Sequence, residues 1–206
     1  SYFCMQTYMK LVYLITLQYP SPYANRVNVM KMAEAFNDLI DDFTLVIGPL
    51  LANREEIFKS YGIERPFKME VLGPPPRLWP SQTRLWPKSF FSALRLRKLI
   101  KHEPPETVFY IRDFLLAYFL SFFLWHFRKN YFIECQSLGK FPHFVYKRVF
   151  QNAKGTVSSN HAKKEEIHNR YFIPLSHIIV GPNGFDRALF ENLSSQKEAR
   201  AHTGLP

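Results

Sequence analysis

The chain has 206 residues, with 27 lysines and arginines against 17 aspartates and glutamates, giving a net charge of +10 and a pI near 9.6. That length can bury one good core or one large α/β domain with a tail, and 47% apolar with 21% charged residues excludes a disordered polymer. The charge calls for an acidic partner, whether phosphate groups, nucleic acid or an anionic membrane, while the only cysteines, Cys4 and Cys135, fit no disulfide framework or metal spacing and suit a reducing compartment.

Residues 1–9 read as an N-terminal extension; Ser1 to Tyr8 are aromatic and uncharged and lack the basic start of a signal peptide. Lys10 to Thr16 (KLVYLIT) is a compact β-rich run and the expected first strand. A loop with Pro20 and Pro22 follows, and a helix is expected from about Arg26, because Val29, Ala33, Phe36 and Ile40 form one helical stripe. Phe43 to Ile47 (FTLVI) is a second strand stopped by Gly48-Pro49. Glu55 to Tyr61 is a short helix ended by Gly62, and Phe67 to Leu72 is a third strand.

Residues 77–101 hold seven cations and no acid, interleaved with Trp79, Trp86, Phe90 and Phe91, and are helical in pattern from about Ser89. Aromatics beside cations match an interfacial anchor on anionic lipid, so Trp79, Arg84, Trp86, Lys88, Arg95 and Lys98 are candidate membrane contacts. A solvated helix with its aromatics in the core fits the same residues. Thr107 to Ile111 (TVFYI) is a fourth strand ending at Arg112-Asp113. The apolar run Phe114 to Phe127 falls short of the roughly 18–20 residues needed to span a bilayer and reads as a buried helix.

Tyr131 to Glu134 (YFIE) is a fifth strand. A helix around Phe144 to Asn152, a strand at Gly155 to Ser158, a helix from about Asn160 to Tyr171, and a last strand at Ile178-Ile179-Val180 complete the alternation. Three β-branched residues in that last strand suggest burial on both faces. Alternation without a repeat period predicts a doubly wound, mostly parallel sheet with helices on both faces, a Rossmann-like α/β fold. Beyond Phe190 the composition turns polar, as a linker would.

Several chemistries are excluded. The chain has no G-x-G-x-x-G after the first strand, no G-x-x-x-x-G-K-[ST] and no G-x-S-x-G elbow. His161, Glu165 and His168 do not make a zinc spacing, and no metal site is expected. Three places remain where α/β folds bind ligands, at the carboxyl ends of strands. Asn25 and Arg26 fall at the amino end of the first helix, where backbone N–H groups and the dipole favour phosphate or carboxylate. Asn25 as an ordinary N-cap and Arg26 as a solvated first-turn residue is the plain alternative. Arg112 closes the fourth strand, and Glu134 and Gln136 close the fifth; an Arg112–Glu134 ion pair tying the two strand ends together is the alternative there. The turn Gly181-Pro182-Asn183-Gly184 closes the last strand.

Read together, these segments resemble the amino-terminal domain of family 4 glycosyltransferases of the GT-B fold, over about residues 10–190. The carriers are "NRVNVMKMAEAF" after the first strand, "FYIRD", "YFIECQS", "GTVSSNHAKKEEI" and "IIVGPNGFDRALF", in that order. The resemblance implies one half of a retaining glycosyltransferase that moves a sugar from a nucleotide-sugar donor to a glycan or lipid-linked acceptor. Asn25, Arg26, Arg112, Glu134, Gln136 and Asn183 would line the acceptor side of the cleft, with no cofactor and no nucleic-acid partner. Gln136 stands where the family often has histidine, and the loop after the first strand lacks the paired glycines of many relatives. The family's second domain, which binds most of the sugar nucleotide, is not in this chain, so residues 191–206 read as the start of an interdomain linker and the fragment alone is expected to be inactive. The implied location is cytoplasmic, peripheral at the inner membrane face. A non-catalytic or nucleic-acid-binding Rossmann-like module is the competing class; no recognition motif supports it.

Overall fold

The computed structural model describes residues 9–73, 85–124, 130–182, 200 and 202. Within them the apolar patterning becomes β1 (Lys10–Leu14), α1 (Ala24–Leu39), β2 (Asp42–Ile47), α2 (Arg54–Ser60), β3 (Met69–Val71), α3 (Leu85–Lys101), β4 (Val108–Ile111), α4 (Phe114–Phe123), β5 (Tyr131–Cys135), α5 (His143–Asn152), β6 (Gly155–Ser158), α6 (His161–Tyr171) and β7 (Ile178–Val180). The strands form one sheet in the order β3-β2-β1-β4-β5-β6-β7, every pair parallel. The chain winds outward from β1 to β3, then returns past β1 and winds the other way from β4 to β7. Right-handed crossovers then put the two sets of helices on opposite faces.

The two cores follow from strand alternation. Leu11, Tyr13 and Ile15 of β1 and its exit, with Leu45, Ile47 and Tyr110, pack against Val29, Met30 and Ala33 of α1 and Ile57 of α2. Their neighbours Val12, Leu14, Phe109, Ile111 and Ile133 face the other way, onto Leu96 and Ile100 of α3, Leu116 and Leu120 of α4, and Val149 of α5. β1 and β4 are therefore apolar at nearly every position, as strands covered on both sides must be. After β2 the backbone passes so close to the loop after β1 that a Cβ on Gly48 would lie 2.7 Å from the Thr16 and Leu17 carbonyls; only glycine fits there.

Four expectations need correction. α1 starts at Ala24, with Tyr23 in the capping position, so Asn25 lies inside the first turn and is not the N-cap. α4 stops at Phe123, where Leu124 turns extended, rather than running to Phe127. α3 starts at Leu85, four residues before Ser89, because Pro87 is tolerated in a first turn. Among the described residues β7 is an edge strand paired only with β6, and Ile179 is 57% exposed, so its β-branched run reflects strand propensity and not burial on both faces.

Candidate functional site

In a sheet wound this way, the carboxyl ends of neighbouring strands diverge where the winding direction reverses, here between β1 and β4. A cavity of about 330 Å³ opens there. Its walls come from the exits of β1 (Ile15, Leu17), β4 (Arg112, Asp113) and β5 (Gln136, Ser137), from Asn25 on α1, and from Leu85, Phe114, Phe141 and Tyr146 on the α3–α5 side.

Asp113 is the hinge of this edge. Its Oδ1 accepts the Leu116 N–H at 3.1 Å, capping α4, and its Oδ2 accepts the Thr16 hydroxyl at 2.7 Å, tying β1 to β4. Each oxygen thus accepts one hydrogen bond. The N-cap role was readable in advance from an aspartate directly before an apolar helix; the bond across to Thr16 carried no sequence signal.

Arg112 and Glu134 sit side by side on the α1 face, since they continue the alternation of Tyr110 and Phe132. The Arg112 Nε lies 3.3 Å from Glu134 Oε2, with the two side chains 9% and 5% exposed. The Tyr110 hydroxyl donates to the same oxygen at 3.1 Å, and the Gln136 amide donates to Oε1. A buried carboxylate demands this many donors. Burial, reinforced by the Glu134 charge, holds the Tyr110 hydroxyl protonated far above the usual phenol range. Burial would pull the Arg112 guanidinium down, but Tyr13 and Glu134 outweigh it and its pKa is raised, so the cation persists.

The polar network is incompletely satisfied. Arg26 Nε and the Tyr19 hydroxyl are buried without a hydrogen-bond partner among the described residues, whereas the buried Tyr13 hydroxyl is set against the Arg112 guanidinium. Arg26 Nη1 donates to the Asn25 side chain at 2.9 Å, and its guanidinium lies 5.7 Å from the Tyr23 ring. Nearby, Lys163 of α6 donates to the Gln136 carbonyl at 2.6 Å and to Ser159 at 2.7 Å, fixing the β5 exit. Cys135 is buried, and burial pushes its thiol up to about 12, so it is inert as a nucleophile.

The structure thus gathers Asn25, Arg112 and Gln136 on one cavity, with Glu134 beneath them and Arg26 alongside Asn25. Asn183 lies outside the described residues. No protein-family model matches the chain, and no curated protein sequence does. Solved structures do. A glycosyltransferase from Rickettsia africae aligns with a TM-score of 0.59 at 13% identity, covering 96% of this chain and 50% of its own. The sucrose-phosphate synthase of Thermosynechococcus elongatus aligns at 0.64 and 13%, covering 96% and 53%. The fold is that of one half of a GT-B glycosyltransferase. The chain spans about half the length of each of these two structures, which fits the resemblance to a GT-B amino-terminal domain read from the motifs.

On this GT-B half the basic segment is only partly placed. Trp79 and Arg84 lie outside the described residues. Trp86 is 38% exposed and packs edge-on against Tyr118 and Phe119 of α4. Lys88 and Arg95 border a recess at the ends of β2 and β3, where Arg95 Nη1 donates to the Gly73 carbonyl at 2.5 Å. Lys98 is exposed. Sequence reasoning missed Lys140 and the aromatic wall of Phe114, Phe141 and Tyr146, because these meet the strand ends only once α4 and α5 have packed. Among the described residues, no helix is long and apolar enough to cross a membrane.

Proposed function

We propose that this chain is the acceptor-side half of a retaining hexosyltransferase that draws on a nucleotide-sugar donor. The observation that carries the reading is the cavity at the winding reversal of a GT-B half, lined by Arg112, which Glu134 holds in place. Catalysis at such a cleft rests on positioning two substrates and stabilising the departing phosphate, so no protein nucleophile is required. Arg112, held charged and fixed by Glu134, and Asn25 at the start of α1 orient the acceptor. Gln136 contributes an amide in place of the imidazole the resemblance implies, which makes its contact one of hydrogen bonding and not proton transfer. A second α/β domain supplies most donor contacts, and without it the 206 residues are inactive. The test is release of nucleotide diphosphate from labelled nucleotide sugars, measured for these residues alone and for a protein that joins them to a second GT-B domain. We expect turnover from the joined protein only; turnover by the 206 residues alone would overturn the half-enzyme reading.

The layer of α3, α4 and α5 supports a peripheral location on the cytoplasmic membrane face. These three helices contain Lys88, Arg95, Arg97, Lys98, Lys101, Lys147 and Arg148 and no aspartate or glutamate. Trp86, Phe122 and Phe144 are 38%, 51% and 54% exposed on the same layer. Cations on anionic headgroups and aromatic rings at headgroup depth are the chemistry of interfacial binding.

A further inference from the structure

The loop between β1 and α1, residues 15–23, lines the cavity through Ile15 and Leu17 and leads directly to Asn25. It contains two prolines, Pro20 and Pro22, and no glycine, and its backbone is tied down at every second residue. The Ile15 N–H donates to the Val46 carbonyl at 2.9 Å, and the Leu17 carbonyl accepts the Gly48 N–H at 3.0 Å. The Tyr19 N–H donates to the Pro49 carbonyl at 3.2 Å, and the Tyr19 carbonyl accepts the Leu51 N–H at 2.7 Å. This last pair is a parallel bridge that carries the β1–β2 ladder beyond both strands.

The ladder has no backbone left to continue on, because the chain after β2 turns into α2 at its N-cap, Asn53. Ser21 would be left without a partner for its N–H and carbonyl. One hydroxyl serves both. The Tyr61 Oη accepts the Ser21 N–H at 2.7 Å and donates to the Ser21 carbonyl at 2.8 Å, standing in for the missing strand residue. The Tyr61 ring packs edge-on against Tyr19 at 5.8 Å, a contact that phenylalanine would also make, so the hydroxyl is what this position adds. The arm that carries it is itself fixed. Tyr61 closes α2 with its N–H on the Ile57 carbonyl at 3.1 Å. Lys31 of α1 donates to the Gly62 carbonyl at 2.5 Å, and Glu34 of α1 accepts the Glu64 and Arg65 N–H groups.

Building on the reading of the cavity as the acceptor side, we propose that Tyr61 is a positioning residue for it. The Tyr61 hydroxyl holds the 15–23 loop in the shape that lines the cavity, so this wall is preformed and does not close on the substrate. Tyr61 does not line the cavity. Its effect passes through Ser21 to Leu17 on one side and to Asn25 on the other. A wall that meets the acceptor equally in the ground state and the transition state sets KM and leaves kcat alone.

The test is Tyr61→Phe, which removes the hydroxyl and keeps the ring. In the 206-residue chain, amide hydrogen exchange followed by NMR should run roughly tenfold faster at Ser21. It should also quicken at Leu51, whose acceptor is Tyr19, while Leu45 in β2, bonded to the Lys68 carbonyl at 2.9 Å, stays as in wild type. Ser21→Ala leaves both backbone partners of the hydroxyl in place and is expected to exchange like wild type. In the two-domain protein, with octyl glucoside as the acceptor probe, Tyr61→Phe should raise the acceptor KM about fivefold with kcat unchanged. Unaltered exchange at Ser21 overturns the proposal. So does an equal acceleration at Ser21 and Leu45, which would mark ordinary support of the fold. Local loosening with an unchanged acceptor KM, or a loss confined to kcat, overturns it too. A wild-type two-domain protein that releases no nucleotide diphosphate refutes the transferase reading alone, and the exchange result then decides the role of Tyr61.

Discussion

The two helical layers cover the same seven strands but differ in charge. α1 and α2 balance Arg26, Lys31, Arg54 and Lys59 against Glu34, Asp38, Glu55 and Glu56. On the other face α3, α4, α5 and α6 carry ten cations against Glu165 and Glu166 alone. Beneath the surface the asymmetry reverses. The α3–α5 layer packs on an apolar core that includes Leu96, Leu116, Leu120 and Val149, whereas the α1 layer shelters the buried polar group of Tyr13, Tyr110, Arg112 and Glu134. One residue of strand alternation separates the two environments, so Ile111 belongs to one face and Arg112 to the other. The binding chemistry of the sheet edge is thereby assigned to the balanced layer and the surface attraction to the basic one.

Breaking the apolar side should cost most. Leu120 is fully buried in α4, and Leu120→Ala is expected to destabilise by about 2–5 kcal/mol through lost burial and a residual cavity, read by urea denaturation with an unchanged m-value. On the balanced side, Glu34 accepts the Glu64 and Arg65 N–H groups at 2.7 and 2.9 Å and pairs with Lys31 at 3.4 Å. Glu34→Ala should cost about 1–3 kcal/mol by leaving those donors unmatched. Burial alone would raise the Glu34 pKa, but these N–H groups and Lys31 outweigh it and the pKa is lowered. Its contribution is therefore complete above the unfolded carboxylate pKa and is lost as pH falls through the folded one. Denaturation of wild type and Glu34→Ala should converge in acid, and a difference that persisted there would refute the assignment.

The smallest effect on stability belongs to the basic surface. Exchanging Arg97, Lys98 and Lys101 for glutamine touches only exposed side chains at the end of α3 and should change stability by no more than about 1 kcal/mol. The same exchange should weaken co-sedimentation with anionic vesicles by roughly a hundredfold, at about 1 kcal/mol per cation. Unaltered vesicle binding would remove the membrane reading.

Much of the fold was legible in the sequence because periodicity is local. The stripe through Val29, Ala33 and Phe36 and the strands flanked by Gly48 and Arg112 needed no tertiary information. The site was legible only by type. A charged residue directly after a buried strand had to find a partner, and the Arg112–Glu134 pair was one of the two readings the sequence left open. What did not follow was anything made by packing: the Asp113–Thr16 bond, Lys163 on the Gln136 carbonyl, Lys140 at the rim, and the Tyr13 hydroxyl set against Arg112. The last strand misled because Ile178, Ile179 and Val180 have the same composition at an edge as in a centre.

The central claim is that the polar group on the α1 face is kept for ligand and not for folding. Arg112→Met alone should cost about 3–5 kcal/mol, because it strands a buried Glu134. Replacing Arg112, Glu134 and Tyr110 together by Met, Leu and Phe removes the stranded groups, and apolar substitutes for a buried ion pair are often neutral or stabilising. The decisive measurement is therefore paired, on the triple variant: its melting temperature, and nucleotide-sugar turnover when it is joined to a second GT-B domain. The account predicts a melting temperature at or above that of Arg112→Met, close to wild type, with turnover abolished. A triple variant that turns over as wild type does, or that fails to fold, would contradict it.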